Sequence, residues 1–281
     1  MIYIIFNIII PLIVVFIMPI VLFILFYNYF ELSEINILFL TLDAKADINI
    51  PQWLSETCTA IFLCILAIFV LNIIRKLNEN KEFYRGNLYG SNNYWIYRLA
   101  KFLGFSKISL KRKPYYAMFK IVMNGDFDLI DLAKENENLS SEIKIDVNYN
   151  NFHKDVKNNL KECNLIIADT YDINQTQLPE SKQGKDTIKI ERIGHRGTRI
   201  SSDELVNKTR EAILTINATG AKINLFLTTS TYNTYEIIEQ CFMVGKRDEM
   251  NVTVFQQDTK DKNKNFKERG KKVLERKKKD E

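Results

Sequence analysis

The sequence predicts an α/β protein in which two N-terminal transmembrane helices precede a cytoplasmic domain built on a parallel sheet. Three observations predict it. Residues 1–30 contain no charged residue, a second apolar run covers 57–74, and beyond residue 114 short β-branched runs alternate with amphipathic stretches. Charge falls in opposing blocks: net −4 over 31–58, +8 over 75–114, −4 over 115–257 and +5 over 258–281. The formal +5 of the whole chain is what remains after they cancel, so binding to a nucleic-acid polymer finds no support. The first 30 residues exclude an ordinary soluble globule. The last 24, of which 17 are charged, exclude a wholly intramembrane transporter.

The first transmembrane helix is assigned to 1–30. Ile8–Tyr27 alone supplies the roughly 20 apolar residues that cross a hydrocarbon core, and a bilayer tolerates Pro11 and Pro19. A cleaved signal peptide is the alternative, but Met1–Phe6 carries no base and Tyr27–Leu32 no small-residue pair. Residues 31–56 then form an extracytoplasmic loop, and 57–74 the second helix, near the short limit for a crossing. A buried core helix is the competing reading of 57–74. Arg75, Lys76, Lys81 and Arg85, which follow it, argue for a membrane and place both the N-terminus and 75–281 in the cytoplasm.

Residues 75–113 form a basic, amphipathic juxtamembrane linker. Within Asn92–Phe105, Trp95, Ile96, Leu99, Phe102 and Leu103 recur at helical spacing while Arg98 and Lys101 take another face. That pattern suits a helix lying in the plane of the inner leaflet, and equally a helix packing its stripe on the soluble domain. Lys107, Lys111, Arg112 and Lys113 are compatible with either and favour anionic lipid.

The α/β domain spans 114–257. Ala117–Met123, Ile143–Val147, Asn164–Ala168, Thr187–Glu191, Ile223–Thr228 and Val252–Gln256 read as strands. A helix starts at Ser201, where Ser201-x-x-Glu204 has capping-box form, and ends at Gly220; Leu205, Val206, Thr209, Ile213 and Ile216 mark its inner stripe. Another runs from Tyr232 to Val244 and stops at Gly245. Alternation of strand and helix from Thr187 to Gln256 implies a parallel sheet, whose ligands settle outside the carboxyl ends of the strands. The lysine-rich tail 258–281 reads as solvated and disordered, with a lipid or nucleic-acid contact as the sharper alternative.

The ligand rule selects three loops. Arg192–Arg199 (RIGHRGTR) offers two glycines for close backbone approach and, in Arg196 and Arg199, fork-shaped phosphate donors. Thr228, Thr229, Ser230 and Thr231 put four hydroxyls before a helix, and Asp169–Asp172 carries Tyr171, which could stack on a base. Hydroxyl runs are commonly just caps and Gly/Arg loops commonly solvated surface; together at one sheet edge they point to an anionic, nucleotide-like ligand. No catalytic role, metal or cofactor is called for. G-x-S-x-G, Walker-type and H-E-x-x-H motifs are absent, the four cysteines form no CxxC pair, and only His153 and His195 could join them. Asp126, Asp128 and Asp131 lack the downstream Glu of a calcium loop, and a turn explains them better.

Ala221–Asp258 (AKINLFLTTSTYNTYEIIEQCFMVGKRDEMNVTVFQQD) and Cys163–Ile173 (CNLIIADTYDI), set behind two spanning helices, resemble the two-transmembrane SAVED-type effectors of bacterial CBASS antiphage defence. The resemblance implies a Rossmann-like, CARF-related fold and an inner-membrane effector. Such an effector is not an enzyme. It would bind a cyclic oligonucleotide made by a partner nucleotidyltransferase, form homo-oligomers on activation and disrupt the membrane. Thr170, Thr228, Thr229 and Ser230 would meet the ligand, with Arg196 and Arg199 added from the loop argument. A structural two-span component of a transport or conjugation apparatus, with a protein-binding α/β domain, is the alternative; a membrane-bound enzyme acting on a nucleotide or lipid headgroup is a third reading.

Overall fold

The computed structural model describes residues 2–29, 52–84, 89–91, 93–150, 160–243, 250–258 and 261–275. Residues 31–51 of the expected loop 31–56, Arg85, His153, Gly245 and residues 276–281 lie outside them, and 52–56 belong to a helix instead. The chain divides into two compact units, Met1–Phe83 with Trp95–Lys107, and Tyr84–Tyr94 with Ile108–Glu281.

In the first unit, Ile2–Ile4 and a π-turn, Ile5–Ile9, lead into α1 (Ile10–Tyr29). The π-turn stands just before Pro11, which has no N–H to offer; the Ile10 N–H reaches back five residues to Ile5 O. α2 (Gln52–Asn78) packs beside α1. Both are long and apolar enough to cross a membrane, and only 17% and 11% of their most apolar windows are buried. Phe16, Ile20, Ile65, Ile68 and Phe69 point outward. A core helix of a soluble protein would bury them; a bilayer accepts them as they stand.

The base of α2 is held by an aromatic cluster. Phe83 meets Tyr97 at 5.9 Å and Phe105 at 5.3 Å between centroids, and Tyr3 at 5.7 Å. Tyr97 lies on α3 (Tyr94–Phe102). Asn78 Nδ2 donates to Leu103 O at 3.0 Å. Gly104, at φ +94°, lies so close to Arg75 that a Cβ would stand 2.5 Å from its Cα, so only glycine fits.

The second unit carries a six-stranded sheet. Its strands are β1 (Lys144–Asn150), β2 (Glu162–Ala168), β3 (Thr187–Ile193), β4 (Lys222–Leu227), β5 (Val252–Phe255) and β6 (Lys271–Leu274). They lie in the order β1-β3-β2-β4-β5-β6. The four central strands are parallel, with Ile167 opposite Ile190 and Leu227, and Leu225 opposite Val254. β1 and β6 close the edges antiparallel. Cys163–Ala168 is buried at every position, as a central parallel strand covered on both faces must be.

Three expectations are corrected. Ala117–Met123, predicted as a strand, belongs to a helix, α4 (Tyr115–Asn124), entered after Pro114 and stopped by Gly125 at φ +62°. The run buries six of its seven residues, so no helical period shows, and a short apolar run of this kind is ambiguous between buried strand and buried helix. The helix α5 (Asp203–Ala218) is capped by Ser202, whose Oγ accepts from Leu205 N at 3.2 Å; Ser201 instead accepts from Glu135 N. The tail is no solvated coil over 261–275. Phe266, Val273 and Leu274 are buried, the Phe266 ring 5.1 Å from Phe226, and Lys120 Nζ donates to Val273 O. Burying Phe266 contributes roughly 2 kcal/mol, and Lys271 and Lys272 keep the edge strand soluble. Gly270 makes the pairing possible, since a Cβ there would meet Thr253 Cγ2 at 2.5 Å and the Phe255 ring at 2.8 Å.

From β2 the chain turns to β3 on one side, then crosses back through α5 to β4 on the other. The order therefore reverses between β2 and β4, the position at which open α/β sheets hold their ligands. β4 continues into α6 (Thr231–Ile237), which runs on as a π-turn over Ile238–Met243.

Candidate functional site

The reversal point is closed by the protein's own bonds. Thr170 N–H donates to Thr228 O at 2.9 Å, and the Thr170 hydroxyl bonds the same oxygen. The Thr228 hydroxyl donates to Tyr171 O at 2.5 Å. Thr229 Oγ1 pairs with Thr234 Oγ1 at 2.6 Å, and Ser230 Oγ caps α6 by accepting from Asn233 N. The four predicted hydroxyl residues are thus brought together, each with its hydroxyl engaged.

Beneath them lies a buried ion pair. Arg192 and Asp169 are both fully buried, with Nε 2.8 Å from Oδ1. Arg192 also donates to the carbonyls of Asp169 and Thr198, at 3.1 and 2.6 Å. Asp169 Oδ2 accepts from Ser230 N and Asn233 Nδ2, and Asn233 reaches Ile200 O and Ser202 N. One carboxylate therefore ties together the loops leaving β2, β3 and β4. Burial pushes the Asp169 carboxyl up from its ordinary value, and the Arg192 guanidinium opposes that push.

The two predicted phosphate ligands stand apart from this centre. Arg196 is paired on the surface with Glu191 at 3.1 Å and Asp172 at 3.4 Å, in a cluster that Lys189 joins. Burial works to raise the Asp172 carboxyl, but the Lys189 hydrogen bond and charge outweigh it and hold the group below its usual range. Arg199 is mostly exposed, 3.6 Å from Glu135. His195, between them, faces Glu142 at 3.0 Å.

Open volume lies one strand over, beyond the ends of β4 and β5, in a cavity of about 620 Å³. Thr229, Thr231 and Thr234 come from the β4 side, and Gln256, Gln257 and Asp258 from the end of β5. Tyr115 and Met118 of α4 form another wall, Arg112 and Lys113 precede them, and Asp261, Lys262 and Lys264 come from the segment before β6. Of the six predicted ligand residues only Thr229 lines it; Tyr171 lines it too.

Cations outnumber acids here, with Arg112, Lys113, Lys262 and Lys264 against Asp258 and Asp261. Asp261 folds its own loop, accepting from Asn263 N and Asn265 N. Lys264 Nζ stands 4.1 Å from the Tyr171 ring centre, and the Arg112 guanidinium 5.6 Å from that of Tyr89. Arg112 and Lys264 both hold left-handed backbone, φ +59° and +56°, a conformation that ordinary residues adopt only under local constraint. Tyr115 N–H donates to Gln256 Oε1 at 2.9 Å, which fixes the amide's orientation and leaves Nε2 as its donating end. The Tyr115 hydroxyl donates to Thr229 O, and burial raises its pKa well above the usual phenol value. Sequence reasoning missed Arg112, Lys113, Lys262 and Lys264 as cavity-lining residues because it placed the first two in a basic juxtamembrane linker and the last two in a solvated tail.

No curated protein matches the sequence. Two solved structures of the Acinetobacter baumannii Cap4 SAVED/CARF-domain receptor, one with the cyclic trinucleotide 3'3'3'-cAAA and one with 2'3'3'-cAAA, are similar at 8% and 9% identity, both with a TM-score of 0.39. Each similarity covers 83% of this chain, which spans 64% and 63% of the respective receptor chains. At that identity no residue role is carried across. The family model for the SMODS- and Ubiquitin system-associated 2TM effector domain matches residues 1–274. Two apolar helices followed by an α/β unit are the layout of a two-span effector, and the chain belongs to the SMODS- and Ubiquitin system-associated 2TM effector domain family.

Proposed function

We propose that the second unit is a cytoplasmic receptor for a cyclic oligonucleotide, and that ligand binding drives the two spanning helices to disrupt the membrane of an infected cell. The cation-rich, tyrosine-lined cavity carries this reading. Its 620 Å³ lies within the range of small-molecule sites, about 300–1,000 Å³. Arg112, Lys113, Lys262 and Lys264 suit phosphates, Tyr89 and Tyr171 offer ring faces to bases, and Gln256 Nε2 offers a fixed donor to a base edge. The role is binding, not turnover. A nucleotidyltransferase supplies the ligand. A ligand that prefers one arrangement of the assembled protein shifts its population by the difference in affinity, and homo-oligomerisation turns that shift into a membrane lesion.

The test is titration of the full-length protein in nanodiscs with labelled cyclic di- and trinucleotides. Micromolar or tighter binding to at least one is expected, weakened by Lys264→Gln. A protein that folds and binds none of them overturns the proposal. Leakage of vesicles holding the full chain, on adding that ligand, tests the second half. Protease protection in sealed spheroplasts tests the topology, with cleavage of 261–275 from outside as the contrary result.

A further inference from the structure

The exposed arc of α3 is not the apolar stripe expected from its sequence. Tyr97, Ala100 and the following Leu103 are buried, whereas Trp95, Arg98, Lys101 and Phe102 are exposed, Trp95 by 64% and Phe102 by 45%. At 100° per residue these four fall within an arc of about 120°, basic at one edge and aromatic at the other. The Arg98 guanidinium sits 5.0 Å from the Trp95 ring centre. This arc is held at a defined height on α2. Leu103 O accepts from Asn78, Gly104 rests on the Arg75 backbone, and the Arg75 guanidinium stands 5.9 Å from the Phe102 ring centre. Arg75 is where the apolar run of α2 gives way to charge, and Ile73 and Leu77 beside it are themselves exposed.

We propose that α3 lies in the membrane surface beside the end of α2, with Trp95 and Phe102 at the headgroup–acyl boundary and Arg98 and Lys101 on anionic lipid phosphates. The inference rests on α2 spanning the bilayer, not on the nucleotide reading. Lipid is the occupant because the arc continues the lipid-facing surface of α2 at the level where its charges begin. Tryptophan and arginine together are the side chains that settle at that depth. Two positive charges on the arc match an anionic leaflet.

Trp53 is the other of the chain's two tryptophans, so Trp53→Phe leaves Trp95 as the sole indole of the full chain. That variant is reconstituted in phosphatidylglycerol–phosphatidylcholine vesicles containing lipids brominated either near the headgroup or deep in the chain. Blue-shifted Trp95 emission, quenched at least twofold more by shallow than by deep bromine, is the expected result. Arg98→Glu with Lys101→Glu should weaken the shallow quenching, and so should replacing phosphatidylglycerol by phosphatidylcholine. Unquenched emission from a chain that resists alkaline extraction overturns this proposal alone, and blue-shifted but unquenched emission does so by assigning the arc to a protein contact. Release of the chain by alkaline extraction overturns the spanning reading and this proposal together. Nucleotide titration is read independently of all these outcomes.

Discussion

The loops leaving β2 and β4 and the segments 110–118, 256–258 and 261–264 lie side by side in the second unit and spend their polar groups differently. The first pair is rich in hydroxyls, and Thr170, Thr228, Thr229 and Ser230 turn each one inward to a carbonyl, a hydroxyl or a cap. The second group supplies the cations around a cavity of about 620 Å³. The difference teaches that a polar run at the end of a parallel strand is first a solution to the strand's own unsatisfied backbone. The cations over that edge come from segments outside those loops, one before the first strand of the sheet and one after β5.

The comparison breaks most sharply at the buried pair. Arg192→Leu strands the Asp169 carboxylate without its cation and should cost about 3–5 kcal/mol, read as a lower urea midpoint for the full chain. A loss under ~1 kcal/mol would show that the loops are held by their hydroxyls alone. Removing polar groups from the cavity wall should weaken ligand binding instead. Lys264→Gln and Tyr171→Ala should each weaken nucleotide binding by roughly tenfold or more, the values for a charge-assisted bond and a stacked base. Their urea midpoints should stay close to the parent's. If either lowers stability as much as Arg192→Leu, the distinction between the two regions fails.

What the sequence makes legible follows from the same physics. Asn164–Ala168 reads as a strand because Leu165–Ala168 is apolar on both faces, and its burial is complete. Ala117–Met123 misleads for that reason too, since a helix buried all round shows no period; Pro114 and Gly125 at its ends were the available signals. Arg192 was also visible in principle. It shares the inward parity of Ile188 and Ile190 on β3, so a charged residue at that register has to be paired inside. Lys262 and Lys264 were not visible. Their placement depends on Phe266 and on β6 pairing with β5, long-range contacts that local composition does not encode.

A smaller effect is expected at the amino end of β2, away from both regions. Burial works to raise the Glu162 carboxyl, but hydrogen bonds from Lys182 and Asn224 and the lysine charge bring it down to about 2. A lowered carboxylate contributes stability that is present above its ordinary value and lost as pH falls toward the folded one. Stability should therefore drop by about 1 kcal/mol between roughly pH 5 and pH 2 on this account, after allowing for solvent screening. Glu162→Gln should flatten that part of the profile, and an unchanged slope would assign the acid lability to other groups.

The smallest expected effect is the most informative about where the ligand sits. Arg196 and Arg199 carry the side chains that chemistry alone would choose for phosphate, and glycines flank them. Arg196 is held by Glu191 and Asp172, and Arg199 reaches Glu135, neither of them lining the cavity. A guanidinium already paired with carboxylates has to surrender them before it can take a phosphate, and that exchange returns little. Arg196→Ala and Arg199→Ala should each change nucleotide affinity by less than about twofold and stability by under ~0.5 kcal/mol. If both instead weaken binding as strongly as Lys264→Gln, the phosphates lie on the Arg192–Arg199 loop, and the carboxylates seen there are placeholders that the ligand displaces.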